Sequence, residues 1–193
     1  MAPTATAPST TPFTENTITP PWATTNRVCA PSSPEVETRD PFQIRYEIDS
    51  KLPKELRDQA RGMDWGLFKA TFAPEPTMHI GLVGVDKLNW SEHRYTVEIT
   101  HTSKTASPET THCEVTATGP AAAIGHILNE NGRYVEILAF HQIDLYEATV
   151  TCVKVAHQVN HNRTAWAVGF GHSPAHSVAA ALSSGAQRVY GNL

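Results

Sequence analysis

The sequence lacks the features of membrane, secreted and nucleic-acid-binding proteins. Its 193 residues contain no apolar run near the roughly 20 residues that a membrane-spanning helix needs. The opening residues have neither the basic segment nor the apolar segment of a secretion signal. The formal net charge is -4 with both signs interspersed, which excludes a strongly basic surface for nucleic acid. We therefore expect a cytoplasmic protein without a membrane or nucleic-acid partner.

Cysteine is scarce as well. Cys29, Cys113 and Cys152 are too few and too scattered for a disulfide framework or a zinc ribbon, which fits a reducing cytosol. Cys113 and Cys152 fall on strand-like patterns, where a cysteine packs in the core more often than it acts as a nucleophile. We expect both to be core residues.

Apolar periodicity is almost absent from the first part of the chain. Residues 1–38 are rich in Pro, Thr, Ser and Ala. Such a segment buries too little apolar surface to offset the entropy that is lost when it becomes ordered. We expect a disordered arm, with docking of Phe13 or Trp22 on a neighbour as the alternative.

A helical pattern follows over residues 39–75, which we expect to form a linker subdomain. Pro53 stands near the first position of one helix, and Leu67 and Phe68 belong to an apolar set at helical spacing. The pattern predicts two short helices that are broken near Gly62.

From residue 76 to residue 193 the apolar period is that of strands and amphipathic helices. Strands are predicted at residues 78–85, 95–99 and 113–117, before a helix over residues 121–128. The same order follows, with strands at residues 135–140, 149–156 and 165–170. A second helix is then predicted from Ser173 and Pro174, because Ser at the N-cap before Pro is a specific helix start. The chain thus predicts an α+β fold of two βββα units, packed as small sheets with helices on one face.

Several segments resemble the C-terminal regulatory domain of the α-isopropylmalate synthases. Residues 116–123 (TATGPAAA) are similar to the Gly-Asn-Gly-Pro segment that starts the first helix of that domain. Residues 164–169 (TAWAVG) resemble its Trp-Gly-Val-Gly strand, and residues 176–182 (HSVAAAL) resemble its closing small-residue helix. Residues 52–56 (LPKEL) and 64–68 (DWGLF) resemble the linker between the barrel and the regulatory domain.

This resemblance implies two βββα units that form a homodimer and bind leucine as a feedback inhibitor. The catalytic barrel of the family, with its Arg-Asp-Gly motif and its His-x-His metal pair, has no counterpart in these 193 residues. The resemblance therefore implies a stand-alone regulatory-type domain, with no metal and no cofactor, which does not catalyse the condensation of the family by itself.

The leucine site of the family is altered here. Residues 140–143 (FHQI) replace a Tyr-x-Glu-His segment, residues 145–148 (LYEA) shorten a glycine-rich loop, and Thr118 replaces an asparagine. These changes remove partners of the ammonium and carboxylate groups of leucine, and each unpaired group costs about 1–3 kcal/mol. We expect leucine to bind weakly or not at all, and the site to take a less zwitterionic ligand.

The starts of the two βββα helices are candidate sites for a carboxylate or an enolate. Free N–H groups and a partial positive charge favour an anion there, and plain helix capping is the alternative at each start. The predicted ligand-binding residues are Thr118, Gly119, Pro120, Phe140, Gln142, Tyr146 and Gly169.

Histidine is abundant, and several of the ten histidines can act as acid or base near neutral pH. The candidate catalytic residues are His141, His172 and His176. His157 and His161 are four residues apart, as are His172 and His176, but that spacing favours a metal only when both lie on one helix. His157 ends a predicted strand and His172 precedes a helix cap, so we expect solvated or hydrogen-bonded histidines.

Two functions of different classes remain open. One is a stand-alone small-molecule-binding domain, a homodimer whose ligand is a small acidic or apolar metabolite. The other is a metal-independent cyclase or isomerase of a specialised-metabolite pathway that reuses the effector pocket, since such chemistry needs only a shaped pocket with a few acid/base groups. The altered leucine site and the many histidines favour the enzyme, whereas the lack of a recognised catalytic set favours the binding domain.

Overall fold

The computed structural model describes residues 40–103 and 105–191. The predicted arm over residues 1–38, with Phe13 and Trp22, lies outside the described residues. The elements are α1 (Pro41–Tyr46), α2 (Lys54–Ala60), α3 (Trp65–Phe72), β1 (Met78–Lys87), β2 (His93–His101), β3 (Glu109–Ala117), α4 (Pro120–Glu130), β4 (Val135–Asp144), β5 (Thr149–His157), β6 (Thr164–Gly171) and α5 (Pro174–Tyr190). The α+β class and the two βββα units are confirmed.

From residue 40 onward three helices precede the sheets, where the sequence predicted two. The Asp40 carboxylate begins α1 by accepting the Gln43 N–H at 2.7 Å, and Asp64 begins α3 by accepting the Leu67 N–H at 2.7 Å. The break between α2 and α3 contains Gly62 at a φ of 77°, as predicted. The six-residue α1 was missed because it is too short to show a helical period.

The first sheet has the antiparallel order β1-β2-β3 and buries one face. Tyr95, Val97 and Ile99 of β2 are buried, and the residues between them are half-exposed. The buried side chains join a core to which α4 and α5 also contribute. The opposite face of this sheet carries polar residues and is open to solvent.

The second sheet has the antiparallel order β4-β5-β6 and is covered on both faces. Val153 and Val155 of β5 join the core with α4 and α5. Val150 and Cys152 join a second core, which α1, α2 and α3 supply with Phe42, Leu56, Phe68 and Phe72. The sequence predicted helices on one face of each sheet, but the connector helices fill the second face of this one.

Helix α5 also closes the free edge of β1. Three polar side chains on one face of α5 bond the backbone of that strand or of the residue just before it, and their spacing of seven and four residues matches the helical period. The bonds are Gln187 Oε1 to the Thr77 N–H at 3.0 Å, Ser183 Oγ to the Ile80 N–H at 3.2 Å, and His176 Nε2 to the Leu82 carbonyl at 3.1 Å. The outer edge of the first sheet is thus held by the last helix of the chain.

Candidate ligand groove and histidine cluster

Gln142 of β4 is tied to the first turn of α5. Its side-chain amide donates to Thr151 Oγ1 at 3.0 Å and to the Pro174 carbonyl at 3.2 Å. Thr151 and Ser177 share a buried hydrogen bond of 2.7 Å, and Ser177 also donates to the Pro174 carbonyl at 2.9 Å. Because these bonds all run within the protein, Gln142 joins a strand to a helix here.

His172 and His176 flank the Pro174 to which Gln142 bonds along the chain, and their ring centroids are 3.7 Å apart. The Nε2–H of His176 donates to the Leu82 carbonyl at 3.1 Å, so its Nδ1 accepts from the Ser173 hydroxyl at 2.7 Å. Burial lowers the pKa of His176 most, and the charge of His172 lowers it further, while the Leu82 carbonyl raises it. His176 is therefore neutral at neutral pH, with both ring nitrogens engaged. We call His172, Ser173 and His176 the histidine cluster.

The other predicted residues of this unit lie apart from the histidine cluster. His141 is exposed and alternates along β4 with Phe140 and Gln142, so it projects from the opposite face of the sheet. Tyr146 is fully exposed in the turn between β4 and β5. Gly169 is buried where a Cβ atom would overlap the backbone of α5, so this position serves close packing.

The start of α4 differs from the start of α5. Gly119 is the N-cap of α4 and provides no side-chain hydrogen bond, and Pro120 occupies the first helical position. Thr118 is exposed just before it. The α5 helix is instead capped by Ser173, whose hydroxyl accepts the His176 N–H at 3.4 Å. The first N–H groups of α4 thus keep their capacity to bind an external acceptor.

An open groove of about 750 Å³ runs along α4 and β4. Ala121, Ala122 and Gly125 form its helix side, and Val135 and Ile137 form its strand side. A Cβ atom added at Gly125 would meet no other atom within 4 Å, so a larger side chain at this position would extend into open space. The groove begins at the first turn of α4, directly after Gly119, the N-cap residue that provides no side-chain hydrogen bond.

Half of the residues that line this groove are polar. The polar lining residues are His126, Asn129, Tyr134, Glu136 and Gln158. Glu136 already faces His161, with 3.4 Å between Oε2 and Nδ1, and His126 Nε2 lies 3.3 Å from Glu130 Oε1. None of the ten lining residues was among the predicted ligand-binding residues, although Gly119 and Pro120 immediately precede the groove. The small, outward-facing residues of α4 are the sequence feature from which the groove could have been predicted.

The histidine pairs do not form metal sites in the described residues. Within residues 40–103 and 105–191, no three His, Cys, Asp or Glu side chains are grouped closely enough to hold a metal ion. His157 Nδ1 instead accepts the N–H groups of Val159 and Asn160 at 3.0 and 3.2 Å. His157 is thus hydrogen-bonded, as expected, and anchors the turn that follows β5.

No helix in the described part of the chain is long and apolar enough to cross a membrane. The cysteines agree with the sequence-based expectation in part, because Cys152 is buried and Cys113 is half-buried. No protein-family model matches this sequence, and no curated protein matches it significantly.

Proposed function

We propose that this chain is a small-molecule-binding domain whose ligand lies in the groove between α4 and β4. The observation that carries the proposal is the position of the groove, whose apolar walls begin at a helix start with no side-chain cap. Its volume of about 750 Å³ lies within the range of about 300–1,000 Å³ that is typical of ligand pockets. The resemblance to a ligand-binding regulatory domain supports the same function.

The proposed ligand is a short branched or linear carboxylic acid. Its carboxylate accepts the N–H groups of Ala121 and Ala122, which the helix leaves without intrahelical partners. Its apolar part covers Gly125, Val135 and Ile137. Of the lining residues only Glu136 carries a carboxylate that can pair with an ammonium group, and one of its oxygens already lies 3.4 Å from His161 Nδ1. Such a site favours the less zwitterionic ligand that the altered leucine motif suggests.

A metal-independent cyclase or isomerase is the weaker candidate. His176 uses both ring nitrogens inside the protein, with Ser173 and Leu82 as partners, so it has no free site for a substrate proton. His141 projects from the opposite face of β4, away from the histidine cluster. The three candidate catalytic histidines therefore do not face one common space.

Calorimetry with leucine and 4-methylpentanoate tests the proposal, because the two molecules differ by the ammonium group alone. We expect saturable binding of 4-methylpentanoate and roughly 5- to 150-fold weaker binding of leucine, since an unpaired ammonium costs about 1–3 kcal/mol. Leucine binding as tight as that of 4-methylpentanoate contradicts the proposed ligand chemistry.

A pair of substitutions at Gly125 tests the position of the site. Gly125→Leu fills the groove and abolishes binding, whereas Gly125→Ala adds one methyl group and leaves most of the affinity. Both replacements raise helix propensity by about 0.8–1 kcal/mol over glycine, so neither variant loses binding through unfolding. Full affinity in Gly125→Leu would place the ligand elsewhere.

A further inference from the structure

The free edge of β3 is unlike the other sheet edges of the protein. The edge of β1 is closed by α5 and interrupted by a bulge at Val83, and β4 has a bulge at Leu138. The edge of β6 receives the Arg188 guanidinium at the Trp166 carbonyl. By contrast, all nine residues of β3 pair with β2 in continuous register. Bulges and capping groups prevent strands from pairing with another chain, and within residues 40–103 and 105–191 β3 has neither.

The register of the first sheet shows which groups of β3 point outward. The Thr102 N–H donates to the Thr77 carbonyl at 2.7 Å, so even-numbered residues of β2 bond β1 and odd-numbered residues bond β3. The even-numbered residues of β3 therefore direct their N–H and C=O groups to the free edge. They are Thr110, His112, Glu114 and Thr116. No hydrogen bond from the described residues reaches these backbone groups, and all four residues are exposed.

We propose that β3 pairs antiparallel with β3 of a second copy of this chain, about a two-fold axis at Cys113. In this register His112 lies opposite Glu114 of the partner subunit, and Thr110 lies opposite the partner's Thr116. All four outward residues then exchange backbone hydrogen bonds, and the two first sheets become one six-stranded sheet. The free edge of β3 is then the contact surface of the homodimer that is expected from the sequence.

Charge complementarity selects this register. Within one chain His112 Nε2 lies 4.0 Å from Glu98 Oε2, and Arg94 Nε lies 3.8 Å from Glu114 Oε2. Pairing about Cys113 joins these two pairs into a ladder of alternating acid and base across the interface. Moving the axis by one residue sets His112 against its own copy or Glu114 against its own copy. Two carboxylates directly opposite each other destabilise a sheet, and an axis at His112 loses the contact between His112 and Glu114, so the Cys113 register is favoured.

Cys113 provides a direct test, because the axis sets the two copies of this residue opposite each other. They form a pair without backbone hydrogen bonds, for which the Cα atoms are about 4.5 Å apart. A disulfide requires about 4.4–6.8 Å between Cα atoms. Treatment of the full-length Cys29→Ser variant with diamide should therefore give a covalent dimer: two thiols lose two protons and two electrons, and diamide is reduced to the hydrazine.

The controls of this experiment report on the register. Peptide mapping should identify a Cys113–Cys113 link, which Cys113→Ser abolishes. A cysteine placed two residues away, in the variant Cys29→Ser, Thr111→Cys, Cys113→Ser, should give no link, because its two copies lie about four residue lengths apart along the strands, roughly 13 Å. A Thr111 variant that links as readily as the natural Cys113, or no link at Cys113, overturns the proposed register.

A proline at the edge tests the pairing without any thiol chemistry. Glu114→Pro removes an outward N–H and leaves the bonds between β2 and β3 intact, since an edge strand tolerates proline on its free side. The matched control, Glu114→Gln, keeps that N–H. Light scattering should give twice the 21.1 kDa chain mass for the natural protein and for Glu114→Gln. Glu114→Pro should raise the dimer dissociation constant roughly tenfold or more, and its unfolding midpoint should match that of Glu114→Gln at concentrations where both are monomers.

A monomer for the natural chain at micromolar concentration, or an equally tight dimer for Glu114→Pro, overturns the proposal. No ligand takes part in this pairing. A negative result for β3 pairing therefore does not bear on the proposed ligand site between α4 and β4. A negative result for ligand binding likewise does not bear on the β3 pairing.

Discussion

The two sheets have the same order of elements but opposite environments. In the first sheet, β2 alternates between buried and half-exposed residues, which is typical of a strand with one solvated face. In the second sheet, β5 is buried along almost its whole length, and its half-buried Lys154 reaches Glu55 of α2 at 2.6 Å. A repeated βββα order therefore does not determine which other elements pack on each sheet. Here the connector helices decide which sheet is enclosed.

The largest expected difference in stability between the sheets follows from truncating a side chain of α1–α3, the helices that pack on the second sheet. Phe68 is fully buried against the second sheet, so Phe68→Ala should lower the free energy of unfolding by about 3–5 kcal/mol. Thr96→Ala on the open face of the first sheet should cost less than about 1 kcal/mol. Urea unfolding measures both values. A loss below about 1 kcal/mol for Phe68→Ala contradicts the enclosed second sheet.

Substitutions at two glycines distinguish how tightly the two sheets are packed. Gly169→Ala places a Cβ atom against the backbone of α5 at Ser177 and Ala181, and overpacking of this kind costs about 1–3 kcal/mol or more. In Gly81→Ala the new Cβ atom has its nearest neighbour at 3.8 Å on the open face of the first sheet. The free energy of unfolding of Gly81→Ala should equal or exceed that of the natural protein, because alanine loses less conformational entropy than glycine on folding. Equal thermal midpoints for the two variants would show that α5 is not packed tightly on the second sheet.

The cysteines provide a smaller, chemical difference between the sheets. Cys152 lies under α1–α3, where burial, with a contribution from Asp40, raises the pKa of its thiol to about 12. Burial and the charge of Glu130 also raise the pKa of Cys113, but this residue is half-buried. Iodoacetamide at pH 8 should label Cys113 faster than Cys152, and urea should remove the difference. Peptide mass spectrometry measures both rates, and equal rates in the folded protein contradict the prediction.

The smallest expected effect concerns pH, at the contact where His176 joins α5 to the first sheet. Its folded pKa lies below the unfolded value of about 6.5, chiefly through burial and then through His172. The unfolded state therefore binds more protons as the pH falls, so the His176 contribution is complete above pH 6.5 and is lost below it. His176→Gln should flatten the dependence of the urea midpoint between pH 7.5 and pH 5. An unchanged slope in His176→Gln would assign that dependence to other groups.

Much of the second half of the fold follows from the sequence. Alternation of apolar residues predicts all six strands, and the Ser173-Pro174 start predicts α5, because both signals are local. The bulges at Val83 and Leu138 leave no such mark, since an extra residue in a strand still looks extended. The cover on the second sheet was missed for a different reason. Which face a short amphipathic helix packs against is set by tertiary contacts.

The candidate site was predictable only in part. The Gly119-Pro120 start of α4 was identified as an anion-binding position, and it lies at the beginning of the groove. The groove itself depends on how α4 and β4 lie against each other, and no local period encodes that arrangement. Gly169 is a different case, because the structure places this predicted ligand-binding residue in close packing against α5.

The proposed binding of a small acid at the start of α4 can be tested through amide chemical shifts. In a titration of the ¹⁵N-labelled chain with 4-methylpentanoate, we expect the largest saturable shifts at the N–H groups of Ala121, Ala122 and Gly125. The Gly125→Leu variant should abolish them. Shifts centred on Ser173 and His176 at the start of α5, or no saturable shift at α4, would contradict the account.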